Sequence, residues 1–292
     1  MFNINKFQFL YGRYHFILKK FDINIYYVYI FIYKMAVKGT VRFNKQSLNK
    51  YSGVIFDLSG VLVDFGMHVP VIAISRAFNY QGIYIPEKKI RQNVGVNQEQ
   101  HIKVLCNQNN CENKFEAIYN DYQNELVVLN SSSEFTSPIN GAAKTTNILK
   151  KLGYKIGITT FYNKNVFSVI DKSLKLNGIV YDNVVCHNDV ILGKPEPYML
   201  YKMINKLNLP ASKCIKVGES HLNMQEGLNA KIHTINVIDS SNSMGMDEQI
   251  FDDSCETIKN IKRIEVIKKL INYPMPKYFI SSVGDIGNIL SK

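Results

Sequence analysis

The chain contains no tryptophan, and its five cysteines, Cys106, Cys111, Cys186, Cys214 and Cys255, are an odd set in which no two have CxxC spacing. That pattern argues against a disulfide framework or a zinc site and suits a reducing, cytoplasmic compartment. Long apolar runs are also missing. The best membrane candidate, Ile23 to Tyr33, reaches about half the length a spanning helix needs and is interrupted by Asn24. The net charge of +11 comes from lysines spread along the chain. Without a basic helix or an RNA-binding motif this argues against nucleic acid, while a basic field suits a phosphorylated ligand. An ordinary apolar content of 46% over 292 residues is enough for a sizeable core.

Residues 1–34 stand apart from the rest. Twelve phenylalanines and tyrosines crowd there without the period of an amphipathic helix or a half-buried strand. A peripheral anchor or targeting segment is one reading; an extension that adds little to the core is the favoured one. Met35-Ala-Val-Lys-Gly reads as an alternative start. Residues 1–45 are therefore expected to form a poorly ordered extension, with no membrane association, and a homodimer is left open.

From Tyr51 onward the pattern is orderly. Short apolar runs at 53–56, 155–159, 183–186, 213–217, 233–238 and 278–281 read as strands, several with both faces buried. Helical periodicity at 144–152, 166–176, 198–207, 224–229 and 258–271 separates them. This alternation predicts an α/β fold with a doubly wound parallel sheet. Residues 67–141 interrupt it with helical segments only, which predicts a helical cap inserted after the first strand, leaving 46–66 and 142–292 as the Rossmann-like core.

Four segments carry polar residues at strand ends or in Gly/Pro-marked turns: Phe56-Asp57-Leu-Ser59-Gly60, Ile156-Gly-Ile-Thr-Thr160, Gly193-Lys194-Pro-Glu-Pro197 and Lys216-Val-Gly218-Glu219-Ser220. Open α/β sheets bind ligands at the carboxyl ends of their strands, so Asp57, Thr160, Lys194 and Glu219 should converge. A carboxylate there can attack phosphorus or ligate Mg²⁺. Thr160 and the backbone that follows it at Phe161 can hold phosphoryl oxygens, and Lys194 can neutralise charge on a transferring group. Each residue also has an ordinary structural role open to it: a turn cap for Asp57, a strand-end hydroxyl for Thr160, a surface lysine for Lys194, and helix capping for Ser220 and Asn223.

The order and spacing of these segments resemble the haloacid dehalogenase-type phosphohydrolases, and among them the phosphonoacetaldehyde hydrolases. Phe56 to Gly66 with Pro70 is similar to that family's first motif, Val94-Gly95 with His101 to its lid segment, Lys155 to Tyr162 to its second motif, Asn188 to Met199 to its third, and Ile215 to Ala230 to its fourth. The resemblance spans about residues 51–290. It implies an Asp57 nucleophile, Mg²⁺ held by Asp57, Ser59, Glu219 and Asn223, catalytic roles for Ser59 and Lys194, and lid residues at 98 and 101. Three departures weaken it. Gln98 stands where the lid lysine forms a Schiff base, and Lys103, five residues on, lies well around the same helix. Ser59 stands where phosphate-ester members carry an acid. Glu219 and Asn223 replace two aspartates, which should weaken Mg²⁺. The sequence leaves two readings open: a hydrolase of a small phosphorylated molecule, or a pseudoenzyme that senses a ligand or binds a protein partner.

Overall fold

The computed structural model describes residues 40–42, 50–270, 273–286 and 290. Among the described residues seven strands form one sheet: β1 (Thr40–Arg42), β2 (Gly53–Asp57), β3 (Lys155–Thr160), β4 (Asn183–Cys186), β5 (Cys214–Gly218), β6 (His233–Val237) and β7 (Tyr278–Ile280). Their order is β1-β7-β6-β5-β2-β3-β4. β2 to β7 are mutually parallel, as the alternation of strands and helices predicts. β1 pairs antiparallel with β7, Thr40 opposite Ile280. This edge strand falls within residues 1–45, the stretch expected to be a poorly ordered extension. Three residues are too short a run to show strand periodicity in sequence. The expectation for residues 1–34 lies outside the described residues.

Between β2 and β3 the chain forms α1 (His68–Tyr80), α2 (Glu87–Arg91), α3 (Gln98–Gln108), α4 (Phe115–Asn130) and the short α5 (Ser133–Thr136). Further helices among the described residues are α6 (Ala142–Lys151), α7 (Lys164–Leu176), α8 (Tyr198–Leu207), α9 (His221–Asn229), α10 (Glu248–Asp253) and α11 (Glu256–Leu270). β2 and β5 are buried along their whole length, which explains their nearly continuous apolar sequences.

The sheet's connectivity fixes the site. β2 is central: the chain winds through β3 and β4 on one side of it and β5 to β7 on the other. The loops after β2 and β5 therefore diverge at a topological switch point, where a crevice opens. Register brings Asp57 opposite Thr159 and Phe56 opposite Val217, so the ends of β2, β3 and β5 lie level.

Close packing of α9 on the sheet depends on Gly227. A Cβ there would stand 2.1 Å from Thr234 Cγ2 and 3.0 Å from the Ile232 carbonyl oxygen. Because the carbonyl belongs to backbone, the clash cannot be relieved by a rotamer change alone. Gly227→Ala should lower stability by about 1–3 kcal/mol, the usual cost of overpacking. Chemical denaturation measures it; an unchanged midpoint would contradict the tight α9–β6 seat.

Candidate active site

Asp57 ends β2 with its carboxylate buried. Its Oδ2 accepts from Lys194 Nζ at 2.5 Å and from Asn223 Nδ2 at 2.7 Å. Its Oδ1 has no hydrogen-bond partner. Burial favours the neutral acid, but the charges of Lys194 and Lys216 and the bonds from Lys194 and Asn223 win, and the carboxyl is held below its ordinary range. Asp57 thus combines one pinned oxygen with one unengaged oxygen.

Lys194 is itself buried, 6% exposed, in the Gly193-Lys194-Pro195 turn, so the surface-lysine alternative fails. Thr160 closes β3 fully buried, and its Oγ1 accepts the Tyr162 backbone N–H at 3.2 Å. The hydroxyl thereby shapes the turn whose first residue is Phe161, a buried ring tilted against Tyr162 with centroids 4.3 Å apart. Ser59 Oγ points to the Tyr162 hydroxyl at a long 3.4 Å.

Glu219 and Asn223 lie at the start of α9, but they do different work. Asn223 Oδ1 accepts from Glu219 N, Ser220 N and Ser220 Oγ at 3.2, 3.3 and 2.8 Å. Its oxygen is fully engaged in capping the helix, and its amide nitrogen is what reaches Asp57. The sequence places Asn223 among the expected metal ligands; in this structure its amide links the helix start to Asp57 as a clamp. Glu219 is buried beside that clamp, and its Oε2 accepts the Asn242 backbone N–H at 3.0 Å. Burial and the charge of Asp57 raise its carboxyl from 4.5 to about 7. Two carboxylates that oppose each other's ionisation, one with a bare oxygen, form a donor set suited to a hard divalent cation. Among the described residues no group of three His, Cys, Asp or Glu side chains forms a metal cluster.

The insert is seated on the core around this edge. Arg91 donates to the Gly66 carbonyl at 2.8 Å and to Asn242 Oδ1 at 3.0 Å, and Asn242 Nδ2 returns a bond to the Arg91 carbonyl at 3.0 Å. Asn97, which caps α3, lies 3.3 Å from His187 Nε2. Next along α3 come Gln98 and, one turn on, His101, both buried. Lys103 points to solvent and pairs with Glu99 at 2.5 Å, so it does not stand in for a lid lysine. A cavity of about 800 Å³ beside α2, lined in part by Arg91, Ser220, His221 and Asn242, adjoins the site but includes none of Asp57, Thr160 or Lys194.

Three contributors have roles that the motifs do not assign. Lys216 is fully buried on β5, donates to Thr159 Oγ1 at 2.5 Å and faces Glu226 at 3.9 Å. Burial lowers its ammonium's pKa while Asp57 and Glu226 oppose that shift. A lysine inside an apolar strand is a readable signal, since an unpartnered one is too costly to bury. Asp64 accepts from the backbone N–H groups of His68 and Val69 and so caps α1. Asn242 lies in a loop with no motif of its own.

With the site in view, the comparisons are consistent. Residues 54–237 match the haloacid dehalogenase-like hydrolase family. The chain is 33% identical over 215 residues to a phosphonoacetaldehyde hydrolase of Parabacteroides distasonis, covering 69% of this chain and 81% of that one. A phosphonoacetaldehyde hydrolase of Bacillus cereus strain AH187 is 27% identical over 255 residues, 83% of this chain and 96% of the other. The crystal structure of a phosphonoacetaldehyde hydrolase-like protein from Oleispira antarctica superimposes with a TM-score of 0.78 at 23% identity, covering 86% and 95% of the two chains, and shares the fold. The chain belongs to the haloacid dehalogenase-like hydrolase family and is related to phosphonoacetaldehyde hydrolases.

The raised Glu219 carboxyl has a pH signature. The folded state binds this proton more tightly than the unfolded chain, so the stability it contributes is complete below pH 4.5 and is lost as pH rises through about 7. Buried His101, lowered to about 4, titrates in the opposite sense over much of that window. The comparison of wild type with Glu219→Gln isolates the effect. In EDTA, the stability difference between the two should shift against the wild type between pH 4.5 and 7.5, and Mg²⁺ should remove that shift. Denaturation midpoints across this range test it; parallel profiles would contradict it.

Proposed function

We propose that the protein is a phosphohydrolase of small phosphate esters, with Asp57 as nucleophile and residues 67–141 as its cap. The observation that carries this reading is the divided state of Asp57: ionised, Oδ2 fixed by Lys194 and Asn223, Oδ1 bare. A pinned carboxylate presents its free oxygen in one orientation, which lowers the cost of reaching an in-line approach to phosphorus. Oδ1 bonds to phosphorus as the bond from phosphorus to the ester oxygen breaks, and the departing alkoxide takes up a proton. Water then attacks the phosphorus of the aspartyl phosphate, releasing inorganic phosphate and restoring Asp57. Lys194 offsets the negative charge that gathers on the phosphoryl oxygens, and the turn at Thr160-Phe161 cradles them. Asp57 and Glu219 would hold Mg²⁺, which when bound supplies further charge neutralisation at the phosphoryl group.

Ser59 sets the pace. A hydroxyl directed at Tyr162 is a weak acid, so the leaving group draws its proton from water. Losing a general acid costs about 10²–10⁴ in rate, and slow turnover follows. The same two residues, Ser59 and Asn223, favour a second reading in which the site binds a phosphorylated ligand without turning it over. Cleavage of phosphonoacetaldehyde itself is disfavoured because Gln98 has no amine to form an imine.

A panel of phosphate esters and phosphonates with Mg²⁺, scored by phosphate release, separates these readings. Wild type should release phosphate slowly from esters, and Asp57→Asn should lose at least about 10³ of that rate. Absence of release from every ester would leave the binding-only reading. Borohydride with phosphonoacetaldehyde should trap no adduct on wild type, whereas Gln98→Lys should gain one. Mass spectrometry reads both, and an adduct on the wild-type lid would restore the phosphonate-cleaving assignment.

A further inference from the structure

Gln98 is the free end of a chain of amides whose direction is fixed from the core. The Val166 backbone N–H donates to Asn163 Oδ1 at 2.9 Å, which makes Asn163 Nδ2 the donor to Gln123 Oε1 at 2.8 Å. Gln123 Nε2 in turn donates to Gln98 Oε1 at 3.3 Å. A backbone N–H cannot accept, so no member of this relay can flip without breaking it. Gln98 is therefore left with its N–H₂ group free. That nitrogen has no partner although the residue is only 7% exposed. One turn along the same helix face, His101 Nε2 is likewise unpartnered in a residue 4% exposed.

Both residues sit where α3 meets the core's carboxyl edge. Gly95, just before α3, packs against Leu222 next to the Asp57 clamp, and the relay ends at Asn163, three residues beyond Thr160. Buried polar atoms without partners are rare, and two on one helix face where the insert meets the core point to a place for ligand atoms. The local chemistry is uncharged. Lys103 is paired in solvent, and Arg91 is engaged by Gly66, Asn242 and Glu87. Burial keeps His101 neutral near pH 7.

We propose that Gln98 and His101 form a recognition site for an uncharged oxygen on the alcohol part of the substrate. The substrates are then phosphate esters of small hydroxy or carbonyl compounds, not of hydroxy acids, whose carboxylate would be buried against neutral groups. This rests on the hydrolase reading above for turnover but stands apart from it for binding.

The test compares glycerol 1-phosphate, ethyl phosphate and phosphoglycolate, each with Mg²⁺. It uses wild type, Gln98→Leu and, as a second variant of similar volume, Gln98→Met, with melting midpoints to confirm folding. Wild type should favour glycerol 1-phosphate in kcat/KM, with phosphoglycolate last. Either variant should lower kcat/KM for glycerol 1-phosphate roughly tenfold relative to ethyl phosphate, since only the former loses a hydrogen bond. A preference for phosphoglycolate, or a ratio unmoved by both variants, would overturn the inference. If wild type hydrolyses none of the three, the hydrolase reading fails, and calorimetric dissociation constants in the Asp57→Asn background decide this one. The same order of preference sustains it; equal binding, or none, overturns it.

Discussion

The structure turns on one carboxylate oxygen. Asp57 Oδ2 is shared by an ammonium from the loop after β4 and an amide from the first turn of α9, so three distant parts of the chain meet at one atom. Removing Lys194 or Asn223 would leave a charge buried with too few partners, a change that commonly costs several kcal/mol. The clamp also determines which oxygen of Asp57 is left without a partner. Asn223 performs a double task because its oxygen is consumed by the helix start, which directs its nitrogen to Asp57. An aspartate at that position would cap the helix equally well but would confront Asp57 with a second negative charge. Asparagine therefore suits a site whose charge is balanced by lysines.

Beneath the clamp lies a second layer that is easy to overlook. Lys216 and Glu226 are wholly buried on β5 and α9, 3.9 Å apart, and Lys216 is also bonded to Thr159, the register partner of Asp57. A lysine placed there adds positive potential under Asp57. Burial pushes Glu226 up, opposed by Lys216, and both of its oxygens lack hydrogen bonds.

Most of the fold was legible because its signals are local. Apolar runs of four to six residues ending in a polar residue gave the strands from β2 onward, and helical periodicity gave the insert. β1 was not legible: a three-residue edge strand acquires its identity only from β7. Within the site, Asp57, Thr160, Lys194 and Glu219 could be placed because strand ends of a parallel sheet share an edge. The role of Asn223 could not, since ligand and cap differ only in which end of an amide faces inward, and that is decided by three donors in space. Lys216 and Asn242 belong to the same class, being defined by partners remote in sequence, whereas Asp64 is defined by the helix start that follows it. Gln98 was read as a lost amine, and only the relay through Gln123 and Asn163 reveals that its amide nitrogen is left without a partner.

Asn242 joins two events that look separate. Its backbone N–H holds Glu219, while its side chain exchanges hydrogen bonds with Arg91 of the insert. Any swing of the insert that breaks the Arg91 contacts unsettles the loop that steadies Glu219. By reciprocity, a ligand that fastens Glu219 makes that swing harder by the same free energy. If the insert moves, its position and the seating of Glu219 are linked through the hydrogen bonds of one asparagine.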